Sequence, residues 1–417
     1  MNWILERFFN VFRGFKNRNY SLYFFGQGTS LIGTWIQRTA MSWLIYRITD
    51  SVFWLGLIGF VGQIPSLIIT PFAGVVADKV SRHKILKISQ TCAMIQATTL
   101  TLLIFFVDIQ IWHIVCLSVF LGLIEAFESP VRHSFVIDMI DDKKEIGNAI
   151  ALNSAMFNGA RLIGPGIAGF MVAKLGEGYC FMLNALSYLA VLFSLLSMRI
   201  KKIVIPKREQ HFFKEFKDGF KYAIGFEPIR YLLINVSIFT LFGSAYTVLL
   251  PYFARTVFKG TAQTLGYLMS SIGLGALLGA IYLASRKSPK GLGSIICNLG
   301  HIAGICLVLV SFSKNFYVTA GLVLVAGFCM MMQMAGSNTI VQTIVDEDKR
   351  GRVMGIYSMS FLSFMPIGSL LMGTFSKYIG VERTLMISGS LCFLGSFLLH
   401  YKLPLIKQRI REKMGTR

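Results

Sequence analysis

The chain has 417 residues, of which 54% are hydrophobic and only 15% charged, and its mean hydropathy is +0.62. Soluble domains carry about 25% charged residues, so this composition excludes an ordinary soluble protein. The net charge of +21 could suit a nucleic-acid-binding protein. The basic residues lie between apolar runs, however, so they fit membrane topology and lipid headgroups better than DNA.

The chain opens with a short basic segment and continues as a series of apolar runs. Residues 1–19 alternate apolar bulk with Arg and Lys, which predicts an amphipathic head at the cytoplasmic surface rather than a removed signal peptide. Each apolar run is long enough for a helix to cross the ~30 Å hydrocarbon core, where the backbone must satisfy its own hydrogen bonds. The twelve predicted spans are 20–46, 53–76, 85–107, 110–139, 147–173, 178–199, 230–254, 261–284, 290–312, 316–344, 351–376 and 381–402.

One long polar interruption, residues 200–229, separates six spans from six. We therefore predict an N-terminal bundle over 20–199, a cytoplasmic linker over 200–229, a C-terminal bundle over 230–402 and a basic cytoplasmic tail over 403–417. Phenylalanines alternate with lysines along 212–221, which is typical of an amphipathic segment lying on the membrane surface. A plain linker without such a role is equally compatible with this composition.

The distribution of basic residues predicts the orientation. If the amino terminus is cytoplasmic, 32 of the 41 Lys and Arg residues fall in the head, the tail and the loops on the cytoplasmic side. This asymmetry matches the positive-inside rule, and an even number of spans places both termini in the cytoplasm. The basic residues predicted on the outer side are Arg47, Lys174, Arg255, Lys259, Lys314, Lys377 and Arg383.

The two halves of the chain carry the signs of an internal duplication. With a shift of 204 residues and no gap, several glycines and polar residues of span 5 fall on identical residues of span 11. Parallel repeats of this kind are typical of transporters, in which two bundles rock about a site near the middle of the membrane. The matched pairs are Gly147 and Gly351, Ser154 and Ser358, Phe157 and Phe361, Gly164 and Gly368, Gly169 and Gly373, and Gly176 and Gly380.

The loop between spans 2 and 3, residues 74–84, reads GVVADKVSRHK and places one carboxylate among several cations. Asp78 could accept hydrogen bonds from a neighbouring arginine or helix amino terminus, and thereby hold a cytoplasmic gate closed. The alternative is that these bases only set the topology. The candidate gate residues are Gly74, Asp78, Lys79, Arg82 and Lys84, together with Arg132 at the cytoplasmic end of span 4.

This loop resembles the signature of the major facilitator superfamily, with Ser81 at a position where that family usually has glycine. The resemblance implies two pseudo-symmetric six-helix bundles and suggests that the partner of Asp78 is span 11, which begins near Gly351. Further stretches resemble the exporter branch that contains the enterobactin exporter, the transmembrane secretion effectors. Those stretches are AFESPVRHSFV (126–136), NAIALNS (148–154), FNGARLIGPGIAG (157–169), CFMLNALSYL (180–189) and GRVMGIYSMSFLSFMPIGSLLMG (351–373).

Charged side chains stand within several spans, where they are costly and usually functional. Glu125, Glu128 and Arg132 share one face of span 4 because their spacing is i, i+3, i+7. Arg38 lies on span 1 and Arg161 on span 5, one turn after Asn158. We expect a carboxylate–guanidinium cluster of Glu125, Glu128 and Arg161 in which one Glu exchanges a proton during transport. A static ion pair that orders the bundle is the alternative.

Milder polar residues in the other spans are secondary candidates for lining a central cavity, although such residues equally serve as contacts between helices. They are Gln27 and Thr34 in span 1, Thr240 and Ser244 in span 7, and Gln333 and Asn338 in span 10. No spacing of His and Cys suits a metal ion, and no phosphate-binding loop or catalytic constellation is present. We therefore expect neither a metal nor a cofactor, and no enzymatic activity.

Together these features predict an all-α membrane protein with twelve transmembrane helices in the bacterial inner membrane. We expect a monomeric secondary active transporter whose partners are a small molecule, protons and the bilayer, and not nucleic acid. The resemblance implies proton-coupled export, by antiport, of a siderophore or an amphipathic drug-like compound. Import of a metabolite, or ligand binding without transport by a receptor of the same fold, are the alternatives.

Overall fold

Long helices make up almost the entire chain in the computed structural model. The structure describes residues 13–140, 142, 145–199, 212–286 and 288–415; the side chains of 71–79, 133, 212–216 and 413–415 lie outside that description. In the first half, after a short 3₁₀ turn at Arg13–Lys16, the helices are α1 Arg18–Thr49, α2 Val52–Lys79, α3 Arg82–Phe106, α4 Ile111–Asp138, α5 Ile146–Leu175 and α6 Glu177–Ser197.

The second half repeats this pattern after one extra helix, but two of its helices are interrupted. The helices are α7 Phe212–Gly225, α8 Glu227–Ile238, α9 Ala262–Ser285, α10 Leu292–Phe312, α11 Phe316–Met331, α12 Ser337–Ile344, α13 Arg350–Ile379, α14 Val381–Tyr401 and α15 Leu403–Gly415. α8 continues through irregular turns to Val257, and a π turn, Met332–Gly336, joins α11 to α12. Isolated π turns inside helices often mark functional positions.

Ten helical segments among the described residues are long and apolar enough to cross a membrane. They correspond to α2, α3, α4, α6, the extended α8, α9, α10, α11 with α12, α13 and α14. Two more helices have ample length, α1 with 32 residues and α5 with 30, but they fall short of that apolar standard. These two helices carry Arg38 and Arg161, so the most polar long helices also hold mid-helix charges.

The chain divides into two compact units, each with its own apolar core. Unit 1 comprises residues 1–48, 61–207 and 261–266, and unit 2 comprises 49–60, 208–260 and 267–417. The core of unit 1 includes fully buried Tyr20 and Phe135. The core of unit 2 is built around Ile296 and Ile340.

The carboxyl-terminal segment is part of unit 2. α15 buries Leu403, Ile406 and Ile410 in the core of that unit, and the guanidinium of Arg409 lies 5.1 Å from the centre of the Phe226 ring. The sequence predicts a basic cytoplasmic tail over 403–417. Within this segment the apolar residues at i, i+3 and i+7 form a docked amphipathic helix, because they give it one continuous face to bury.

Candidate functional site

An ion pair joins the middle of α1 to the middle of α4. The Nη2 of Arg38 lies 2.5 Å from Oε1 of Glu125. Both side chains are accessible, with exposed fractions of 46% for Arg38 and 32% for Glu125. Charged groups at mid-helix are not stable against hydrocarbon, so their accessible side must border water or cargo. This pair is therefore the best candidate in unit 1 for exchange of protons or ligands.

Trp35 connects this ion pair to Arg161. The guanidinium carbon of Arg38 lies 5.6 Å from the centre of the Trp35 ring, and that of Arg161 lies 5.7 Å from it. The ring of Phe157 meets Trp35 edge to face at 6.3 Å. Attraction between a guanidinium and an indole face contributes about 0.5–1 kcal/mol at accessible positions. Trp35 thus holds two arginines from different helices around one ring, a role that the sequence analysis missed.

Glu128 occupies a different environment from Glu125, although both lie on α4. The residue is buried, its Oε1 accepts a hydrogen bond of 3.0 Å from Nε2 of Gln90, and Arg132 lies 3.5 Å away. The hydroxyl of buried Tyr23 has no hydrogen-bond partner among the described residues. Glu128 is held by packing and by neighbours from α3 and α4.

Two ion pairs make up the charged group around Glu125 and Glu128, which the sequence predicts to form a cluster with Arg161. Glu125 pairs with Arg38 in an accessible position, whereas Glu128 pairs with Arg132 inside unit 1. The physical reason is that residues i and i+3 lie about 60° apart around a helix, which is enough to turn one side chain toward open space and the other toward α3. Arg161 joins the accessible group through Trp35.

In each unit, one network of buried amides holds helices together, and the sequence analysis missed most of the residues in these two networks. In unit 1, Gln37 donates to Gln96 at 3.0 Å and accepts from Asn184 at 2.7 Å, which links α1, α3 and α6. In unit 2, Asn235 donates to Gln333 at 2.8 Å, and Gln333 donates to the Ile296 carbonyl at 2.7 Å. A lone Gln or Asn in an apolar helix is the signal that could have identified them.

Several predicted cavity residues lie in helix packing in this structure. Gln27, Thr240 and Gln333 are buried, and the Thr240 hydroxyl donates to the carbonyl of Val236 at 2.7 Å. Asn158 is also buried and donates to the Ser154 carbonyl at 2.9 Å. In Thr240, Gln333 and Asn158 the polar group bonds to the backbone or to another amide, which accounts for these three residues as contacts within helix packing.

The remaining cavity candidates are partly accessible. Hydroxyl groups of Thr34 and Ser244 donate to carbonyls one turn earlier, at 2.9 and 2.7 Å. Asn338 accepts a hydrogen bond of 2.6 Å from Gln342, which is exposed. The π turn at Phe239–Gly243 contains buried Thr240 and is followed by Ser244. The π turn at Met332–Gly336 contains buried Gln333.

At the loop of residues 74–84, the structure describes only part of the predicted gate. The side chains of Gly74, Asp78 and Lys79 lie outside the described residues. Arg82 donates from Nη1 to both carboxylate oxygens of Asp138, at 2.8 and 2.9 Å, and so ties the start of α3 to the end of α4. Lys84 is exposed, and Arg132 is partly buried beside Glu128.

Ser81 has a definite role at the position where the superfamily usually has glycine. Its hydroxyl accepts a hydrogen bond of 3.2 Å from the backbone N–H of Lys84 and thereby caps the amino terminus of α3. Serine is among the preferred residues at this position because its oxygen satisfies a donor that the helix cannot. The connection from α2 to α3 therefore needs only two residues.

The described residues contain no group of His, Cys, Asp and Glu that could hold a metal ion. The cysteines are all free: five are buried, Cys92 is partly buried and Cys116 is exposed.

The sequence model of one protein family, described as the transmembrane secretion effectors, matches residues 11–414. The chain is 26% identical to the staphyloferrin A transporter of Staphylococcus aureus over 88% of this chain and 92% of that relative. It is 22% identical to the multidrug efflux pump Tap of Mycolicibacterium fortuitum, over 88% of this chain and 91% of that protein.

Solved structures show the same fold at low sequence identity. The crystal structure of a D-xylose–proton symporter matches with a TM-score of 0.71 and 15% identity, over 92% of this chain and 97% of that one. A bacterial homologue of the iron transporter ferroportin, in an inward-facing state, matches with a TM-score of 0.69 and 14% identity, over 92% and 98%.

Proposed function

Because the chain belongs to the transmembrane secretion effector family of the major facilitator superfamily, we propose that it exports a small organic molecule by proton-coupled alternating access. Its relatives include a siderophore transporter and drug efflux pumps, which support export as the direction. They also support a siderophore or an amphipathic drug-like compound as the class of cargo. The protein is an integral membrane protein of the bacterial plasma membrane.

The proposed topology has twelve spans, with both termini in the cytoplasm. It adds α1 and α5 to the ten segments that are apolar enough by themselves. Polar residues of α1 have partners within unit 1: Gln37 is hydrogen-bonded to other amides, and Arg38 is paired with Glu125. Helices with such internal partners can cross a bilayer at lower cost than their composition alone suggests. We further propose two six-helix bundles over 20–199 and 230–402, acting as a monomer.

The observation that carries the proposal is the accessible Arg38–Glu125 ion pair at mid-helix. Protonation of Glu125 would remove its charge and release Arg38, and deprotonation would restore the pair. A two-state contact of this kind can couple a proton to a conformational change, because each state has a different set of partners. Glu125 is therefore our proposed proton site. Glu128, with Gln90 and Arg132 around it, is the proposed structural carboxylate.

The gate proposal keeps all of its predicted residues, Gly74, Asp78, Lys79, Arg82, Lys84 and Arg132. The Arg82–Asp138 ion pair supports a role for this loop in holding the ends of α3 and α4 together. Both hydrogen bonds come from one nitrogen of Arg82, so a change in the relative position of the two helices would break both at once.

Proton-driven transport in everted membrane vesicles tests the proposed function. Staphyloferrin A and a macrolide serve as probes, and a pH-sensitive dye reports proton movement. We expect the parent protein to accumulate at least one probe when the vesicle interior is acidic. Glu125→Gln should abolish this accumulation but retain exchange of probe down its own gradient, since a neutral side chain cannot cycle a proton.

One further variant serves as a control. Glu177→Gln removes the acid of another ion pair in unit 1, in which the Glu177 carboxylate lies 2.7 Å from Arg47 near the helix ends. That variant should accumulate the probe normally. Full proton-driven accumulation by Glu125→Gln would refute the assignment of Glu125. Binding of both probes by the parent protein without any flux would favour a receptor instead of a transporter.

A further inference from the structure

A small cleft opens in unit 1 where three helix ends meet. It lies at the start of α1, beyond the end of α4 and beyond the end of α6, and it holds about 320 Å³ of open space. A water molecule occupies roughly 30 Å³ in the liquid, so a phosphate-sized anion can enter. The cleft is lined by Asn17, Arg18, Asn19, Met139 and Arg199.

The two arginines of the cleft are fixed near each other by the backbone. The side-chain amide of Asn19 donates to the carbonyl of Arg199 at 3.0 Å, and its oxygen accepts from the N–H of Arg199 at 3.2 Å. This reciprocal pair of hydrogen bonds joins Arg199, in the segment that follows α6, to the first turn of α1. Arg18 and Arg199 therefore stay at one site, instead of being two unrelated surface charges.

The described carboxylates near the cleft have other partners. Glu145 accepts a hydrogen bond of 2.7 Å from the side chain of Asn17, which lines the cleft, and Asp138 is held by Arg82. Neither Arg18 nor Arg199 forms a salt bridge within the part of the chain that the structure describes. The described lining of the cleft thus has two exposed guanidinium groups and no carboxylate, which is the chemistry that binds an oxyanion.

We propose that this cleft binds a phosphate-bearing anion, and that the headgroup of an anionic phospholipid in the cytoplasmic leaflet is its source. Under the proposed orientation, the three helix ends lie at the cytoplasmic surface, where anionic headgroups are concentrated. Basic pockets between membrane helices on that side are suited to such headgroups. The inference is independent of the cargo and of the proton site.

Lipid retention in nanodiscs tests the cleft directly. The protein is reconstituted in phosphatidylcholine, in phosphatidylcholine with phosphatidylglycerol, and in phosphatidylcholine with added inorganic phosphate. Thermal unfolding and native mass spectrometry report stabilisation and bound phosphatidylglycerol. We expect phosphatidylglycerol to stabilise the parent protein. The double variant Arg18→Gln/Arg199→Gln should bind it about 25-fold more weakly, from roughly fivefold for each arginine.

A matched control is Arg230→Gln at the start of α8. Arg230 lies at the corresponding end of unit 2 but is already paired with Glu227 at 3.0 Å, so phosphatidylglycerol binding should be unchanged. If inorganic phosphate stabilises the parent protein but not the double variant, the cleft is an anion site whose ligand is free phosphate. Unfolding in pure phosphatidylcholine shows whether the variants are folded, and Arg18→Lys/Arg199→Lys keeps the charge as a second check.

The proposal is overturned by either of two results. One is a double variant that retains phosphatidylglycerol as well as the parent protein does, in both measurements. The other is an equal loss in Arg230→Gln, which would mean that the lipid responds to overall charge and not to the cleft.

Discussion

At the scale of single residues, Glu125 and Glu128 lie only three positions apart on α4, yet their surroundings give the two carboxylates different roles. Glu125 is accessible and shares its charge with Arg38 on another helix, whereas Glu128 is enclosed and partnered by Gln90 and Arg132. An accessible carboxylate can exchange a proton with water. An enclosed one contributes chiefly by satisfying its neighbours, and its removal leaves a buried cation without a partner.

Stability measurements should therefore rank the two acids in the opposite order to transport: replacing Glu128 should cost more stability, whereas replacing Glu125 should cost more transport. We expect Glu128→Gln to lower the free energy of unfolding by about 1–3 kcal/mol, because Arg132 loses its charged neighbour in a partly buried position. Glu125→Gln should cost less than about 1 kcal/mol, since water can solvate Arg38. Thermal unfolding of the purified variants in one bilayer composition checks this. A larger loss in Glu125→Gln than in Glu128→Gln would contradict it.

At the scale of elements, each unit has a polar anchor on the segment before its first long helix. In unit 1, Asn17 donates to Glu145 at 2.7 Å, just before α5. In unit 2, the hydroxyl of Tyr222 on α7 donates to Asp346 at 2.9 Å, just before α13. The ammonium of Lys349 also lies 4.5 Å from the centre of the Tyr222 ring. The two anchors use different residue types, so each unit holds this segment through its own contacts.

The Tyr222 anchor has a defined pH dependence. Burial, with Asp346 adding to the effect, raises the pKa of Tyr222 to about 12. The ordinary tyrosine value is about 10, so the anchor's contribution is complete below pH 10 and is lost as the pH rises from there through 12. Tyr222→Phe should lower stability by about 1 kcal/mol at pH 7. Its unfolding temperature should approach that of the parent protein above pH 10, whereas a constant difference up to pH 12 would disprove this anchor.

Close helix packing explains individual glycines at the same scale. A Cβ on Gly122 of α4 would lie 2.1 Å from the carbonyl oxygen of Gly62 on α2, so these backbones touch. Small residues permit this approach, which is a main source of stability between membrane helices. α7 packs on α13 similarly, with Gly219 against Arg352. The exposed Phe220 and Ile224 form its opposite, apolar edge, which is compatible with the predicted position at the membrane surface.

Alanine substitutions test this contact. Gly122→Ala should reduce the free energy of unfolding by about 1–3 kcal/mol, because the added methyl group forces two helices apart. Gly159→Ala on α5 is the matched control: a Cβ there meets nothing within 4 Å, and alanine favours the helix. The comparison requires thermal unfolding of both variants. Equal destabilisation would show that the α2–α4 contact has no special role.

At the scale of the whole molecule, the duplication predicted from an offset of 204 residues appears in backbone geometry. Gly176 ends α5 with φ = +93°, and Gly380 ends α13 with φ = +88°. Residues with side chains rarely adopt this region, so both helices stop at glycine for the same reason. Gly164 also packs on α1, and Gly368 on Leu241 in the extension of α8. Corresponding glycines thus make corresponding contacts within each unit.

Orientation in the membrane can be tested through single cysteines. Asp108→Cys, between α3 and α4, should react with an impermeant maleimide in intact cells. Lys290→Cys, between α9 and α10, should react only after the membrane is opened, because the basic loops remain in the cytoplasm. Both positions are exposed. The parent protein, with its exposed Cys116, gives the background. The reverse pattern would place both termini outside the cell.

The sequence alone determined the helical membrane class, because hydrocarbon imposes length and apolarity on every crossing segment. It also predicted twelve spans, of which ten are long and apolar enough in the described structure, and a duplication, since repeats preserve spacing. The pairing of Arg38 with Glu125, and partners such as Trp35 and Gln90, were decided by the tertiary structure. The reason is that pairing depends on the rotation of each helix toward its neighbours, a quantity that no local pattern contains. The docked tail helix and the cleft at Arg18 and Arg199 depend on the same packing.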